Sequence, residues 1–402
     1  MTGGHWPRGH AARPGPAWTP ADHRIQARAA RGDPFAARRD LAAFISATRH
    51  ARRQRALALT LSLLSALVLA TAVGGWLLTN YVSSSLGRVN AGTAGTPAGG
   101  PMNILLAGID VRAGLTRHQQ ALLHVGHTIS DNSDTLLLIH IAASRRHVEV
   151  ISLPRDSWVR IPGFGMNKIN AAIGFGGPKL MVRTVERATG LAINDFAEVN
   201  FLGFVRVIDA LGGVNICLPY AVHDAYSGLH LSAGVHHVNG ITALQFARDR
   251  HSFALSDLAR IANQHQLIAS VITTAVNSGT LANPLRFSRF LSAITAAVKV
   301  DRNFNVLGLA DQLRYLRPTA VSFVTVPLAS MNYVTPSGAS AVLWDRAAAR
   351  RLFARVARDR PAGPRPGRTA PTRRTVPARR TPSGPPGADG SRPQTAAQAA
   401  CR

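Results

Sequence analysis

Residues 133–156 read SDTLLLIHIAASRRHVEVISLPRD, and this stretch decides the fold class. Two β-rich runs, 134–142 and 147–153, are joined by a short polar turn, which is typical of two strands that follow each other in one sheet. The first run is almost entirely apolar, as in a strand that is covered on both faces. The stretch therefore predicts a sheet that is buried between other layers.

Strands and helices continue to alternate on both sides of this stretch. MNILLAG, which begins at residue 102, predicts a strand just before it. Further strands are predicted at 195–200, 214–218 and 320–328, and helices at 176–189, 201–211, 239–249, 257–278, 285–299 and 304–316. Gly190 is expected to cap the first of these helices. The alternation predicts an α/β fold, a layered α/β/α sandwich with a central mixed sheet.

A charge-free run of 23 residues, 56–78, precedes the predicted domain. At about 1.5 Å per residue it is long enough to cross a bilayer as one transmembrane helix. Arg52, Arg53 and Arg55 lie just before it, so this flank is expected in the cytosol and the chain beyond about residue 79 outside the cell membrane. A cleaved signal peptide is disfavoured because 55 residues precede the run. A buried core helix would not explain the basic flank.

These features predict six segments along the chain. They are a basic cytoplasmic segment 1–55, a transmembrane helix 56–78, a linker 79–101, an extracytoplasmic domain 102–330, a C-terminal extension 331–355 and a disordered Arg/Pro-rich tail 356–402.

The formal charge of +26 is concentrated at the two ends of the chain. Residues 1–55 carry +8 and residues 350–402 carry +11, which leaves +7 for the 294 residues between them. Both ends are rich in Pro, Gly and Ala, which indicates solvated tails rather than a nucleic-acid interface. The two cysteines exclude a disulfide framework and a cysteine-rich zinc site, and none of the fifteen histidines shows a metal-ligand spacing.

Two carboxylates lie at predicted strand ends. Asp110 ends the first strand and Asp134 begins the second. If the two strands are neighbours, this pair is suited to sharing Mg²⁺, which binds one or two carboxylates together with substrate phosphates. Ordinary turn and capping chemistry by aspartate is the alternative.

Cationic side chains form further candidate groups. Arg155 follows the strand that ends at residue 153, Asp156 comes next, and Lys168 follows in NKINAA. The segments FARDRH (246–251) and SDLARIANQHQ (256–266) add Arg248, Arg250 and the i,i+4 pair Arg260 and Gln264. Such a set of donors is suited to a pyrophosphate. For Arg155 the alternative is an ion pair with Asp156 or another carboxylate. For the arginines of 246–266 it is a surface basic patch with ion pairs to Asp249 and Asp257.

The chain resembles the LytR–CpsA–Psr family of cell-wall polymer transferases. The matching stretches, in the order of the family, are NILLAGID, SDTLLLIHI, VISLPRDSWVRIPGFGMNKINAA, NFLGFVRVIDALGGVNICLP, YSGLHLSAGVHHVNGITALQFARDRH and DLARIANQ. They cover about residues 102–275.

The resemblance implies a membrane-anchored phosphotransferase that is located in the cell membrane with its N-terminus in the cytosol. It would move an anionic glycopolymer from a polyprenyl-pyrophosphate carrier onto peptidoglycan through a phosphodiester bond. The partners implied are this lipid-linked glycopolymer, peptidoglycan and the membrane, with no nucleic acid.

The resemblance also implies a role for each of the site residues named above. Asp110 and Asp134 would hold Mg²⁺ or Mn²⁺, and Arg155, Asp134 and Asp156 would be catalytic, with either carboxylate taking the acceptor proton. The pyrophosphate would be held by Arg155, Lys168, Arg248, Arg250, Arg260 and Gln264.

Two positions depart from the family pattern. Many members have Arg where this chain has Asn132 and Asn263, and two fewer cations should weaken pyrophosphate contacts. The alternative function is therefore a wall protein that binds or hydrolyses polyprenyl pyrophosphate with weak or no transferase activity.

Overall fold

The structure is a computed structural model. It describes residues 42–46, 59–69, 72–75, 80–81, 84–95, 99–109, 116–123, 133–249, 256–277, 283–313, 316–361 and 394–395. The chain divides into two compact units, residues 1–78 and 79–402.

The first unit contains the apolar run that is predicted to cross the membrane. Its described residues, 42–46, 59–69 and 72–75, are helical, and the leucines of 59–69 are exposed. Within the described part of the chain, no helix combines the length and the apolar character needed to span a bilayer. The rest of the 56–78 run lies outside the described residues, and the span stays a prediction.

The second unit is built on strands and helices that alternate along the chain. Its strands are β1 (Gly87–Val89), β2 (Met102–Ile109), β3 (Ser133–Ile141), β4 (Val148–Leu153), β5 (Trp158–Ile161), β6 (Gly165–Lys168), β7 (Asp195–Asn200), β8 (Val214–Leu218), β9 (Val222–Asp224), β10 (Leu229–Leu231), β11 (Gly234–Val238), β12 (Val298–Asp301), β13 (Val321–Thr325), β14 (Leu328–Val334), β15 (Ser340–Trp344) and β16 (Gln394–Thr395). Its helices are α1 (Arg117–Leu122), α2 (Ala171–Thr189), α3 (Phe201–Ala210), α4 (Gly240–Arg248), α5 (Ser256–Asn277), α6 (Pro284–Ala297), α7 (Val306–Leu313) and α8 (Arg346–Ala357).

Eight of the described strands form one sheet in the order β1-β12-β7-β2-β3-β4-β13-β16. At its centre β2, β3 and β4 are antiparallel neighbours, whereas β2 pairs with β7, and β4 with β13, in parallel. The sheet is therefore mixed, as the sequence predicts. The other described strands pair two by two, as β5 with β6, β8 with β11, β9 with β10 and β14 with β15.

Helices cover both faces of this sheet. Leu136 and Leu138 of β3 pack into one core cluster, which includes residues of α2 and α8. The alternate residues Leu137 and Ile139 face a second cluster, which includes residues of α5, α6 and α7. Because successive side chains of a strand point to opposite faces, the nearly continuous apolar run of β3 serves two layers at once.

Several element boundaries differ from the predicted ones. Helix α2 begins at Ala171 rather than residue 176, and it is kinked at Gly176 and Gly177, where Gly177 has φ +65° and Pro178 follows. Gly190 caps this helix as predicted, with φ +73° and its N–H donating to Glu186 O at 2.8 Å. The sequence pattern misses the start of this helix because Gly-Gly-Pro follows its first residues, and both Gly and Pro are poor helix formers.

The predicted boundaries near the end of the unit also shift. The helix predicted at 285–299 ends at Ala297, and 298–301 form the strand β12. Most of the range 331–355 is covered by β14, β15 and α8, and Leu352 and Phe353 of α8 belong to the same core cluster as β3. The predicted tail, 356–402, lies mostly outside the described residues, although β16 pairs with β13.

Candidate active site

The site lies at the sheet edge where β2 ends, β3 begins and β4 ends. Ile109, the last residue of β2, pairs with Ser133, and Leu136 pairs with Leu153 at the end of β4. This antiparallel register brings Asp134 and the segment after β4 to one edge. The predicted neighbours are therefore neighbours in the sheet, and Asp110, which follows Ile109, lies outside the described residues.

Arg155 joins two carboxylates at this edge. Its Nη1 donates to Asp134 Oδ1, and its Nε lies 3.4 Å from Asp156 Oδ2. The side chain of Arg155 is 19% exposed, that of Asp134 32% and that of Asp156 17%. All three are therefore sheltered but reachable from solvent. Lys168 completes the group, with its Nζ 2.9 Å from Asp156 Oδ1.

The hairpin of β5 and β6 holds Lys168 in place. Lys168 pairs with Trp158 across the hairpin, and the next residue, Ile169, donates its N–H to Ser157 O at 2.8 Å. The buried Ser157 hydroxyl donates to Pro154 O at 2.6 Å and accepts from Trp344 Nε1 at 2.8 Å. These bonds fix the loop that carries Arg155 and Asp156, so the positions of both side chains are preorganised.

The cations keep Asp156 ionised. Burial alone would raise the pKa of Asp156, but the hydrogen bond from Lys168 and the charges of Arg155, Lys168 and Arg260 outweigh burial and hold this pKa below its ordinary value. An efficient general base has a pKa near the working pH. A depressed pKa therefore makes Asp156 a weak base and suits it to holding the two cations.

Helix α5 contributes the other side of the site. Gln264 Nε2 donates to Thr135 Oγ1 at 3.0 Å, next to Asp134. Arg260 lies one turn earlier, is only 5% exposed, and is near enough for its charge to lower the pKa of Asp156. We use the name charge cluster for Asp134, Arg155, Asp156, Lys168 and Arg260, which together carry three positive and two negative formal charges.

Arg248 lies at the end of α4 and has different contacts. Its Nη1 donates to Leu123 O at 2.7 Å, and its guanidinium carbon is 5.4 Å from the centre of the Phe201 ring. Leu123 and Phe201 are buried in the same small core cluster. Arg248 thus fixes the segment that follows α1 against α3, and Arg250 lies outside the described residues.

The structure adds supporting residues that sequence reasoning missed. His265 Nε2 lies 2.7 Å from Ser152 Oγ. This contact attaches α5 to β4 at the residue that follows Gln264. Burial lowers the pKa of His265 to about 4. Asn263 is also buried, and its Nδ2 donates to Phe246 O at 3.3 Å in the last turn of α4. Ser152 and His265 are 113 residues apart, so no local pattern signals their contact.

Asn263 bears on one of the two departures from the family pattern. Its side chain links α5 to α4 instead of adding a charge to the site. The other departure, Asn132, lies outside the described residues. At position 263, the chain therefore has an interhelical hydrogen bond where a cation is common in the family.

The chain is similar to known proteins over most of the second unit. A sequence model of the LytR_cpsA_psr family matches residues 82–355. A Corynebacterium glutamicum protein, "Probable cell wall biosynthesis protein LcpB", is 35% identical over 286 residues, which cover 69% of this chain and 66% of that protein. A "Polyisoprenyl-teichoic acid--peptidoglycan teichoic acid transferase TagU" from Oceanobacillus iheyensis is 35% identical over 186 residues, 45% of this chain and 53% of that protein. The chain thus spans less than two thirds of the length of either relative.

The fold is also found among solved structures. The "LytR-Csp2A-Psr enzyme from Actinomyces oris" aligns with a TM-score of 0.54 and 20% sequence identity, covering 68% of this chain and 96% of that one. At this level of identity the likeness concerns the fold alone.

Proposed function

The chain belongs to the LytR–CpsA–Psr family, and from this premise we propose that it is a phosphotransferase of cell-wall assembly. It moves an anionic glycopolymer from a polyprenyl-pyrophosphate carrier onto peptidoglycan through a phosphodiester bond. The name of the Oceanobacillus relative, a teichoic acid–peptidoglycan transferase, supports the class of polymer and acceptor. The single observation that carries the proposal is that three cations from separate segments, Arg155, Lys168 and Arg260, come together around Asp156.

Arg155, Lys168 and Arg260 are suited to binding a pyrophosphate. They approach Asp156 from three separate segments. Arg155 follows the end of β4, Lys168 is the last residue of β6, and Arg260 lies in the first half of α5. Asp134 and Asp156 offset part of the mutual repulsion of these cations. An anion that enters the cluster competes with Asp134 for the planar fork of Arg155, whose donors match phosphate oxygens.

The proposed reaction needs no protein nucleophile. The acceptor hydroxyl attacks the sugar-linked phosphorus, the bond to the carrier-side bridging oxygen breaks, and polyprenyl phosphate leaves. Phosphoryl transfer depends mainly on positioning and on neutralising charge, which fixed cations supply. The proton of the acceptor hydroxyl passes to one of the two carboxylates that Arg155 contacts, Asp134 or Asp156.

Mg²⁺ is part of this proposal. Among the residues that the structure describes, no three His, Cys, Asp or Glu side chains come together as a metal site. Mg²⁺ needs only one or two carboxylates when phosphate oxygens complete its shell. Asp134, partly exposed at the start of β3, fits that requirement, with Asp110 as its proposed partner. A bound ion would neutralise charge on the phosphate oxygens.

We also propose that residues 56–78 anchor the enzyme in the cell membrane, with the N-terminus in the cytosol. The 23 residues without charge and the preceding arginines support this orientation. A reporter enzyme that works only outside the cytosol, fused after residue 361, should be active. Activity instead from a reporter that works only in the cytosol would overturn the proposed topology.

The transfer reaction is tested with the full chain in lipid nanodiscs. A synthetic polyprenyl-pyrophosphate glycan is supplied with and without peptidoglycan fragments, and the phosphodiester-linked product is measured by mass spectrometry. Product should form only with the acceptor and with Mg²⁺. Release of the glycan at an equal rate without acceptor would favour the hydrolase, and tight binding without turnover would favour the carrier-binding alternative.

A further inference from the structure

Two exposed imidazoles face each other on the hairpin of β9 and β10. His223 and His230 are directly opposite in the antiparallel register. Their Nδ1 atoms are 3.1 Å apart, and their ring centroids are 5.3 Å apart. Neither residue belongs to the charge cluster, so this pair has no part in the proposed transfer.

The backbone beneath the two histidines is fixed. Their neighbours Val222 and Leu229 are completely buried in one core cluster. The buried Asp224 accepts hydrogen bonds from the N–H groups of Tyr226, at 3.1 Å, and Ser227, at 3.3 Å, which close the turn. Because side chains alternate along a strand, burial of these neighbours directs both histidines to the opposite, solvent-facing side.

The separation of the two nitrogens suits a shared metal ion. Histidine nitrogens bind Zn²⁺ at about 2.0–2.1 Å, so two such ligands are roughly 3.3 Å apart around a tetrahedral ion. Two adjacent ligands of a tetragonal ion such as Cu²⁺ are roughly 2.9 Å apart for similar bond lengths. The observed 3.1 Å lies between these two values. The two nitrogens therefore already have the separation of two ligands of one ion, and binding requires the rings to rotate so that both lone pairs point to it.

We propose that His223 and His230 form a surface site for a divalent transition-metal ion, Zn²⁺ or Cu²⁺, bound through both Nδ1 atoms. In the metal-free hairpin one Nδ1–H donates to the other Nδ1. When the ion binds, that hydrogen moves to Nε2 of the same ring, which leaves a lone pair on each Nδ1. Two protein ligands leave open coordination positions, which water fills.

Neighbouring histidines have a different arrangement. His237 has Nδ1 2.9 Å from Asn215 Oδ1 and Nε2 2.8 Å from Gly212 O. His236 has Nε2 2.8 Å from Ser232 O. Their ring nitrogens approach oxygen atoms of the protein rather than each other. His236, which is partly exposed on β11, therefore provides a matched control for the loss of one histidine.

The test is a titration of the full chain with Cu²⁺, and separately with Zn²⁺, against a chromophoric chelator. His223→Gln and His230→Gln should each weaken the tightest site at least tenfold, and the double variant should lose one equivalent of bound metal. His236→Gln should bind as the wild type does. The electron paramagnetic resonance spectrum of the first Cu²⁺ equivalent should show two nitrogen ligands in the wild type and one in each single variant.

Two results would overturn the site. The first is a double variant that binds the same number of ions with the same affinity as the wild type. The second is an equal loss of affinity in His236→Gln, which would indicate unspecific binding to surface histidines. Circular dichroism without metal checks that each variant is folded, and His223→Asn repeats the test with a smaller side chain.

Discussion

The central strands β2, β3 and β4 carry polar side chains at both ends, yet the two ends differ in charge. At the end opposite the site, Asn103, His140 and Glu149 are paired across these strands. His140 Nδ1 lies 2.8 Å from Asn103 Oδ1, and His140 Nε2 lies 3.1 Å from Asp359 Oδ1. Burial lowers the pKa of His140, although the hydrogen bond and charge of Asp359 oppose this. We call this the His140 end and the site the Arg155 end.

The difference lies in how charges are balanced and sheltered. At the His140 end the imidazole is 3% exposed, burial lowers its pKa, and both of its ring nitrogens contact protein oxygens. At the Arg155 end three cations meet two carboxylates, and Arg155, Asp134 and Lys168 remain open to solvent. Polar residues at a strand end thus have a structural role where they are buried and bonded to one another. They form a candidate site where three cations meet and solvent reaches the side chains.

The largest expected effect is a loss of transfer rate on substitution of Arg155, the central residue of the Arg155 end. Arg155→Ala removes the group that joins Asp134 and Asp156, and it should lower kcat/KM for transfer by about 10²–10³-fold, as for loss of one preorganised donor in a sheltered site. Initial rates of product formation with the full chain measure this effect. Arg183→Ala, which removes an exposed arginine of α2, is the matched control and should leave the rate unchanged.

If Arg155→Ala kept the wild-type transfer rate, the comparison would fail, because the polar residues at the Arg155 end would then also have only a structural role. Arg155→Lys sharpens the result. It keeps the charge but loses the planar fork, so a partial rate would show that geometry matters in addition to charge.

The second prediction concerns pH and the buried His265 behind the site. The unfolded chain binds the proton near pH 6.5, whereas the folded chain binds it only near pH 4. The stability that His265 contributes is therefore present above pH 6.5 and is lost as the pH falls towards 4. The loss amounts to about 3 kcal/mol of unfolding free energy from this residue.

Urea unfolding at pH 7.5 and pH 4.5 measures this dependence. His265→Gln keeps a polar group near Ser152 but cannot bind the proton, so its unfolding free energy should depend less on pH. An unchanged pH dependence in the variant would assign the effect to other groups. His140 and His147, whose pKa values burial also lowers, act in the same direction.

Local patterns predict the sheet, but not the partners of its polar residues. The apolar run of β3 predicts a strand covered on both faces because alternate side chains serve two layers. Asp134 and Arg155 are predicted at strand ends, whereas Lys168 reaches the site on β6, a strand that the sequence analysis does not predict. By contrast, the contacts between Ser152 and His265, and between Asn263 and Phe246, depend on how α5 packs. The pair His223 and His230 arises only from the register of a hairpin.

The third prediction concerns the His140 end. Asp359→Ala removes the acceptor of the His140 bond and of the bond from the Ala143 N–H, at 3.2 Å. The variant should lose about 1–2 kcal/mol of unfolding free energy, because a partly buried donor is left unsatisfied. Alanine at φ +54° adds backbone strain in the same direction. The transfer rate of the folded enzyme should stay the same.

Asp359→Asn separates the two causes, since asparagine keeps an acceptor and tolerates the left-handed backbone. It should restore most of the stability. A loss of transfer rate in folded Asp359→Ala would mean that the two ends of the sheet are coupled, and the distinction between them would have to be abandoned.

The smallest expected effect lies within the charge cluster. Lys168 is 32% exposed and its Nζ bonds to Asp156, so its pair is close to a surface ion pair and Lys168→Ala should cost at most about 1 kcal/mol of stability. Substrate affinity should fall by about fivefold, as expected for one exposed, charge-assisted contact worth about 1 kcal/mol. Arg160→Ala is the matched control, because Arg160 is an exposed cation of the same hairpin. Binding of the pyrophosphate lipid to both variants, measured in nanodiscs, should weaken for Lys168→Ala alone. Equal weakening in both would show that the hairpin attracts the lipid by its overall charge, and Lys168 would then be removed from the binding set.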